Sequence, residues 1–175
     1  MKVCKFGGSS LANAAQLNKV IDIVLADPAR RLVVVSAPGK RDKGDTKVTD
    51  LLIALANAAL AGEDTAAALE TVVGRYAEMA AELRLGEEIV QKIRDDLEGR
   101  LASLPAPAAR DASGTAEAEF MDLMKAAGED NNAKLVAVAF AKRGKKARYA
   151  SPKDTGMILE GSFGDAAKSF KLNHG

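Results

Sequence analysis

The feature that most constrains this chain is the pattern strand, glycine turn, helix, strand within its first forty or so residues. Met1 to Phe6 reads as a short strand that stops at Gly7-Gly8. Asn13 is placed to cap a helix in which Leu17, Val20, Ile21, Val24 and Leu25 recur at the 3.6-residue period. Asp27-Pro28 ends that helix. Leu32 to Val35 is a continuous run rich in β-branched residues, the pattern of a strand buried on both faces. Ser36-Ala37-Pro38-Gly39 then breaks the chain. Two strands joined through a helix predict a parallel pair with a right-handed crossover.

Helical patterns follow. Thr49 is a candidate N-cap for a helix using Leu51, Leu52, Leu55 and Ala59, with Gly62 beyond its end. A long amphipathic helix starts at Asp64 or Thr65, with Leu69, Val72, Val73, Tyr76, Met79 and Leu83 inward. Gly86 separates it from a helix carrying Ile89, Ile93, Leu97 and Leu101, so residues 63–104 read as a helical hairpin inserted into an α/β frame. Leu104 to Gly114 reads as a mobile loop. A short helix holding Phe120, Leu123 and Met124 is expected to stop at Gly128-Glu129, and another to run from about Asn132 to Lys142. Lys146 to Ala150 reads as a third strand, and Met157-Ile158-Leu159 as a weak apolar run. The fold class expected is therefore α/β.

Composition excludes several function classes. With 25 Lys and Arg against 24 Asp and Glu, the net charge is +1, without the positive field on which nucleic-acid binding leans. No apolar run approaches the ~20 residues that span a bilayer. One Cys and one His make disulfide frameworks and multi-Cys or His-rich metal sites unpromising, so no protein-built metal site is expected. A cytoplasmic domain with small-molecule chemistry, and without nucleic-acid or membrane partners, is the expectation.

The stretch Val3-Cys4-Lys5-Phe6-Gly7-Gly8-Ser9-Ser10-Leu11 carries that chemistry. A strand delivers Lys5 to its carboxyl end. Two glycines let backbone N–H groups approach a ligand closely, and a helix start adds a field that favours an anion. Together these suit a phosphate or a transferring phosphoryl group. The order of residues is neither a P-loop nor G-x-G-x-x-G. By spacing alone a tight turn bearing a surface lysine fits equally well. Likewise Glu129 reads as a first-turn Glu complementing a helix dipole, Ser36 as a turn residue and Thr49 as a cap. Ser36 gains weight from its position at the carboxyl ends of parallel strands, where such sheets bind ligands.

Lys5 to Ser10 resembles the K-F-G-G-[ST]-S signature of the aspartate kinases within the amino-acid-kinase family. Further blocks match in the same order: Val33-Val34-Val35-Ser36-Ala37, then Val48-Thr49-Asp50-Leu51-Leu52, then Gly128-Glu129 with Asn132-Ala133-Lys134-Leu135. The last is Lys145 to Ile158 with Pro152-Lys153-Asp154-Thr155-Gly156. The resemblance implies a three-layer αβα fold with a mainly parallel sheet. It implies transfer of the ATP γ-phosphoryl to the side-chain carboxylate of L-aspartate, the entry to lysine, threonine and methionine synthesis. Lys5 would be the catalytic cation. Lys5, Gly7, Gly8 and Ser9 would hold nucleotide phosphates, with Mg²⁺ carried by ATP and water. Ser36, Thr49 and Glu129 would bind aspartate, Glu129 through its amine.

The family's catalytic domain runs well beyond 175 residues, and its Gly-rich nucleotide stretch with an Asp has no counterpart here. Asp130-Asn131 is also more polar than is usual after Gly-Glu. The chain is therefore expected to be the amino-terminal part of such a domain over 1–175, weakly active or inactive alone. Its open sheet edge is expected to drive homo-oligomerisation or strand exchange, or to be shielded by the hairpin. The competing readings are a superfamily member acting on a different acid, and a non-catalytic binding module that keeps the fold.

Overall fold

The computed structural model describes residues 1–107 and 113–156 with their side chains, and the backbone of 158–160 and 167–169. The order is β1 (Lys2–Phe6), a 3₁₀ turn (Gly8–Leu11), α1 (Ala14–Leu25), β2 (Arg30–Val35), α2 (Val48–Ala61), α3 (Ala66–Glu82), α4 (Glu87–Ala102), α5 (Thr115–Lys142), β3 (Ile158–Glu160) and β4 (Ala167–Ser169). β1 and β2 pair in parallel, Val3 opposite Leu32 and Lys5 opposite Val34. β3 and β4 form a separate antiparallel pair.

Local chemistry explains most element boundaries. Asn13 caps α1, its Oδ1 accepting from the Gln16 amide at 2.9 Å. Gly62 ends α2 in the left-handed region at φ 74°, where a Cβ would be strained. The Asp64 carboxylate accepts from the Ala66 amide at 3.0 Å at the start of α3. Glu87 and Glu88 face the positive end of α4.

α5 is the organising element. It packs on α2, α4, α3 and β2, and it buries Phe120, Met124, Ala127, Leu135, Val136, Ala139 and Phe140. Leu11, Leu17, Ile21, Leu52, Leu55, Val72, Tyr76, Ile93 and Leu97 complete the same core. From the sheet, Phe6, Val33 and Val35 pack against it.

The structure corrects five expectations. The two helices around Gly128-Glu129 are one helix of 28 residues. A lone glycine costs a helix only about 1 kcal/mol, and tertiary packing exceeds that here. β2 is not buried on both faces: Leu32 and Val34 are each 45 % exposed on the face opposite the core, beside Val3 of β1 at 60 %. The described helices pack on the other face. Lys146 to Ala150 forms no strand; it is held by side chains, the Tyr149 hydroxyl donating to Asp130 and the Lys134 ammonium lying 5.7 Å from the Tyr149 ring centre. Thr49 is not the cap of α2, because the helix begins at Val48 after Lys47. The element straight after Gly7-Gly8 is a 3₁₀ turn, and the start of α1 lies beyond it, sealed by Asn13. Of the expected loop at 104–114, residues 108–112 lie outside the described residues, as does Met157 of the expected apolar run.

Candidate functional site

The parallel pairing of β1 and β2 places their carboxyl ends side by side, and the two turns that follow dock on each other. The ladder continues with the Ser36 amide donating to Phe6 O at 3.2 Å, and the Gly39 amide donates to Gly8 O at 2.9 Å. The approach is too close for side chains. A Cβ on Gly39 would stand 2.6 Å from the Gly8 carbonyl carbon, and one on Gly8 2.9 Å from Ala37 O. Gly7 differs, with open space where its Cβ would be. Gly8 therefore serves backbone packing, while the space beside Gly7 is open. By local sequence Gly39 is only a chain break; its partner Gly8 lies 31 positions away, beyond local signals.

Lys5 stands on the open sheet face with Val3, Leu32 and Val34, and its ammonium has no ion-pair partner among the described residues. Ser9 is exposed on the 3₁₀ turn. The Ser36 and Thr49 hydroxyls have no hydrogen-bond partner among the described residues, and both residues are half-buried. Because Thr49 sits inside the first turn of α2 rather than at its cap, its hydroxyl is not spent on capping.

The loop between β2 and α2 brings Ser36 and Thr49 to one place. Its ends are tied by the Val48 amide donating to Pro38 O at 3.0 Å. Arg75, buried on α3, holds the loop from beneath. Its guanidinium donates to Gly39 O at 3.0 Å and to Thr46 O at 2.6 Å, and it pairs with Asp45 at 3.1 Å. Arg41 pairs with the same carboxylate at 3.0 Å. The Arg41 hydrogen bond, with Arg75 beside it, holds the Asp45 carboxyl far below the usual range, although burial pushes it up.

α5 completes the cluster. Gly128 lies against the β2 turn, where a Cβ would stand 2.8 Å from the Ala37 Cβ and 3.2 Å from Leu52 Cδ1. The buried Tyr76 hydroxyl donates to Gly128 O at 3.0 Å. Burial, then the neighbouring Glu129 charge, push that hydroxyl well above its ordinary value. Glu129 is exposed and has no ion-pair partner among the described residues. One turn on, Asn132 is fully buried and its Nδ2 donates to Ser36 O at 2.6 Å. Asp130 and Asn131 turn elsewhere: Asp130 pairs with Arg100 at 2.7 Å, and the Asn131 amide donates to Asp96 at 3.0 Å. Lys134 reaches Asp96 at 2.9 Å. The polar residues after Gly-Glu thus belong to a network between α4 and α5.

The structure therefore brings Ser36, Thr49 and Glu129 around the Ala37–Gly128 contact, and joins Gly7, Gly8 and Ser9 to them through the Gly8–Gly39 contact. A cavity of about 550 Å³ lies apart from these residues, lined by Lys92, Lys134, Arg148 and Tyr149 among others. Among the described residues, no group of three or more His, Cys, Asp or Glu could hold a metal ion. No helix among them is long and apolar enough to cross a membrane.

A parallel pair whose glycine turns meet after Lys5, backed by a helix carrying Gly128-Glu129, lies at the carboxyl edge of an α/β sheet, the edge at which such sheets hold ligands. Residues 1–173 match the model of the amino acid kinase family, and the chain belongs to that family. It is 51% identical over 166 residues to Aspartokinase 3 of Bacillus subtilis (strain 168), covering 95% of this chain and 35% of that protein. Among solved structures it is similar to E. coli aspartokinase III in complex with aspartate and ADP, with a TM-score of 0.72 and 26% identity over 95% of this chain and 34% of the other. It is also similar to the Clostridium acetobutylicum aspartate kinase, with a TM-score of 0.65 and 29% identity over 78% of this chain and 28% of the other. The chain thus spans about a third of the length of these relatives.

Proposed function

We propose that this chain is the aspartate-binding, amino-terminal part of an aspartate kinase. In the reaction, an oxygen of the aspartate side-chain carboxylate attacks the γ-phosphorus of ATP. The bond from that phosphorus to the bridging oxygen breaks, and 4-phospho-L-aspartate and ADP leave. Such a transfer asks the protein to align two anions and offset the growing charge.

The residues fit those tasks. Lys5 offers an ammonium that no described carboxylate neutralises, and would stabilise the transferring phosphoryl group. The open side of Gly7 admits phosphate oxygens close to the backbone of Gly7, Gly8 and Ser9. Ser36 and Thr49 offer hydroxyls to the aspartate carboxylates, and Glu129 offers a counter-charge to its amine. Mg²⁺ would enter as part of the nucleotide substrate. Residues 63–104 would be a helical hairpin added to the kinase frame. The observation that carries this reading is the docking of the β1 and β2 turns with Gly128 of α5, which draws together Gly7, Gly8, Ser9, Ser36, Thr49 and Glu129 from four separate blocks of sequence.

The complex of E. coli aspartokinase III with aspartate and ADP supports the same ligands here. Calorimetric titration decides it. The chain is expected to bind L-aspartate in preference to L-glutamate, and Glu129→Ala is expected to weaken aspartate binding by about tenfold or more, as loss of a charge-assisted contact does. Equal binding of the two acids would point to a different substrate in the same family. No binding of aspartate or MgATP would favour a non-catalytic module.

A further inference from the structure

We propose that Asn132 is a positioning residue for the aspartate site, latching the Ser36 turn to the helix that carries Glu129. The inference rests on the aspartate-kinase reading of that site. It starts from a mismatch: Asn132 is 0% exposed, and only one end of its carboxamide is satisfied. Its Nδ2 donates to Ser36 O at 2.6 Å across 96 positions of sequence. Its Oδ1 is buried and has no hydrogen-bond partner among the described residues.

The orientation is forced by chemistry. With the amide turned over, Oδ1 would face the Ser36 carbonyl, acceptor against acceptor, and the NH₂ would be buried without an acceptor. A buried acceptor without a donor is unfavourable, so stability alone gives a poor reason for an asparagine here. Position gives a better one. Asn132 lies three residues after Glu129, close to one helical turn, so both project from neighbouring parts of the same helix surface. Ser36 opens the turn whose Ala37 packs on Gly128 and whose Gly39 packs on Gly8. One hydrogen bond thus sets the distance between a hydroxyl offered to the amino acid and the carboxylate offered to its amine. Through Gly39 and Gly8 it also braces the phosphate turn.

Asn132→Leu separates this role from a purely structural one. It removes the unmatched Oδ1 but takes the donor from Ser36 O, so one unmatched oxygen replaces another and the net change in stability is small. The expected result is a melting temperature close to wild type with aspartate affinity lowered by about tenfold, the worth of one well-placed hydrogen bond. Asn132→Asp keeps the shape and exchanges the donor for an acceptor. It should bind weakly at about pH 8 and regain affinity towards about pH 6, because a buried carboxyl protonates early and its O–H can again donate to Ser36 O. It also serves if the leucine variant does not fold. Unchanged affinity in folded Asn132→Leu, or an Asn132→Asp protein as tight as wild type at about pH 8, overturns the proposal. If the wild-type chain binds no aspartate at all, the site reading fails, and this role with it.

Discussion

At the scale of single residues, the glycines divide by what stands where their side chains would be. Gly39 faces the backbone of Gly8, which cannot move without breaking the Gly39 amide to Gly8 O bond. Gly39→Ala is expected to lower stability by more than about 2 kcal/mol, as forced overpacking of backbone does. Gly7→Ala should change the melting temperature little, since nothing lies within 4 Å of that position. A pair of thermal melts checks both; equal effects would mean that the two turns do not touch. Gly128→Ala gains about 1 kcal/mol of helix propensity. It would nevertheless press on Ala37 and Leu52, with an overpacking cost of about 1–3 kcal/mol. Net destabilisation is expected, and a rise in melting temperature would refute the contact between α5 and the β2 turn.

At the scale of elements, the loop from Gly39 to Lys47 owes its shape to α3. Arg75 is buried, spans both ends of the loop and shares Asp45 with Arg41. Removing one partner from a buried pair leaves the other uncompensated, at a cost of about 3–5 kcal/mol where no second partner exists. Arg41 remains in Arg75→Met, so about 2–3 kcal/mol is expected. Aspartate affinity should fall with it, because Thr49 and Ser36 flank the loop. Lysine at 75 should not rescue, since one ammonium cannot reach two carbonyls and a carboxylate in the fork geometry of a guanidinium. The same carboxylate gives a pH signature. Its folded-state pKa is depressed below the unfolded value, so its contribution is complete above the unfolded carboxylate range and is lost as pH falls below about 4. Melting temperatures measured between neutral and acid pH should drop less steeply in Asp45→Asn than in wild type. Parallel curves would exclude Asp45 from the acid transition.

At the scale of the whole molecule, the sheet is covered on one face and open on the other. Phe6, Val33 and Val35 reach the core, while Val3, Leu32 and Val34 are exposed in a row beside Lys5. A parallel pair in an α/β protein is expected to be covered on both faces, and such a bare apolar strip is a pairing hazard. Light scattering of this chain is expected to show a mass that rises with protein concentration. Leu32→Lys with Val34→Lys should reduce that association without lowering the melting temperature much, since neither residue faces the core. A concentration-independent monomer in the wild type would count against association through this face.

Much of the candidate site was legible because its parts are local. A strand ending in Lys-Phe-Gly-Gly-Ser-Ser, a β-branched run ending in Ser-Ala-Pro-Gly and a helix carrying Gly-Glu can each be read from neighbouring residues. Strand, turn and cap chemistry acts over a few positions, and Asn13 and Gly62 behave as their types require. Tertiary contacts decided the rest. α5 continues through Gly128 because that missing side chain admits Ala37 and Leu52. Lys146 to Ala150 is tied by Tyr149 to Asp130 instead of entering a ladder. Gly39, Arg75 and Asn132 acquire their roles from partners 29 to 96 positions away. The sequence by itself determined β1, α1, β2 and the helices of the hairpin, and which reactive side chains lie at their ends. Only the folded chain decided which of those ends meet, because packing and long-range hydrogen bonds depend on partners brought close by the whole topology.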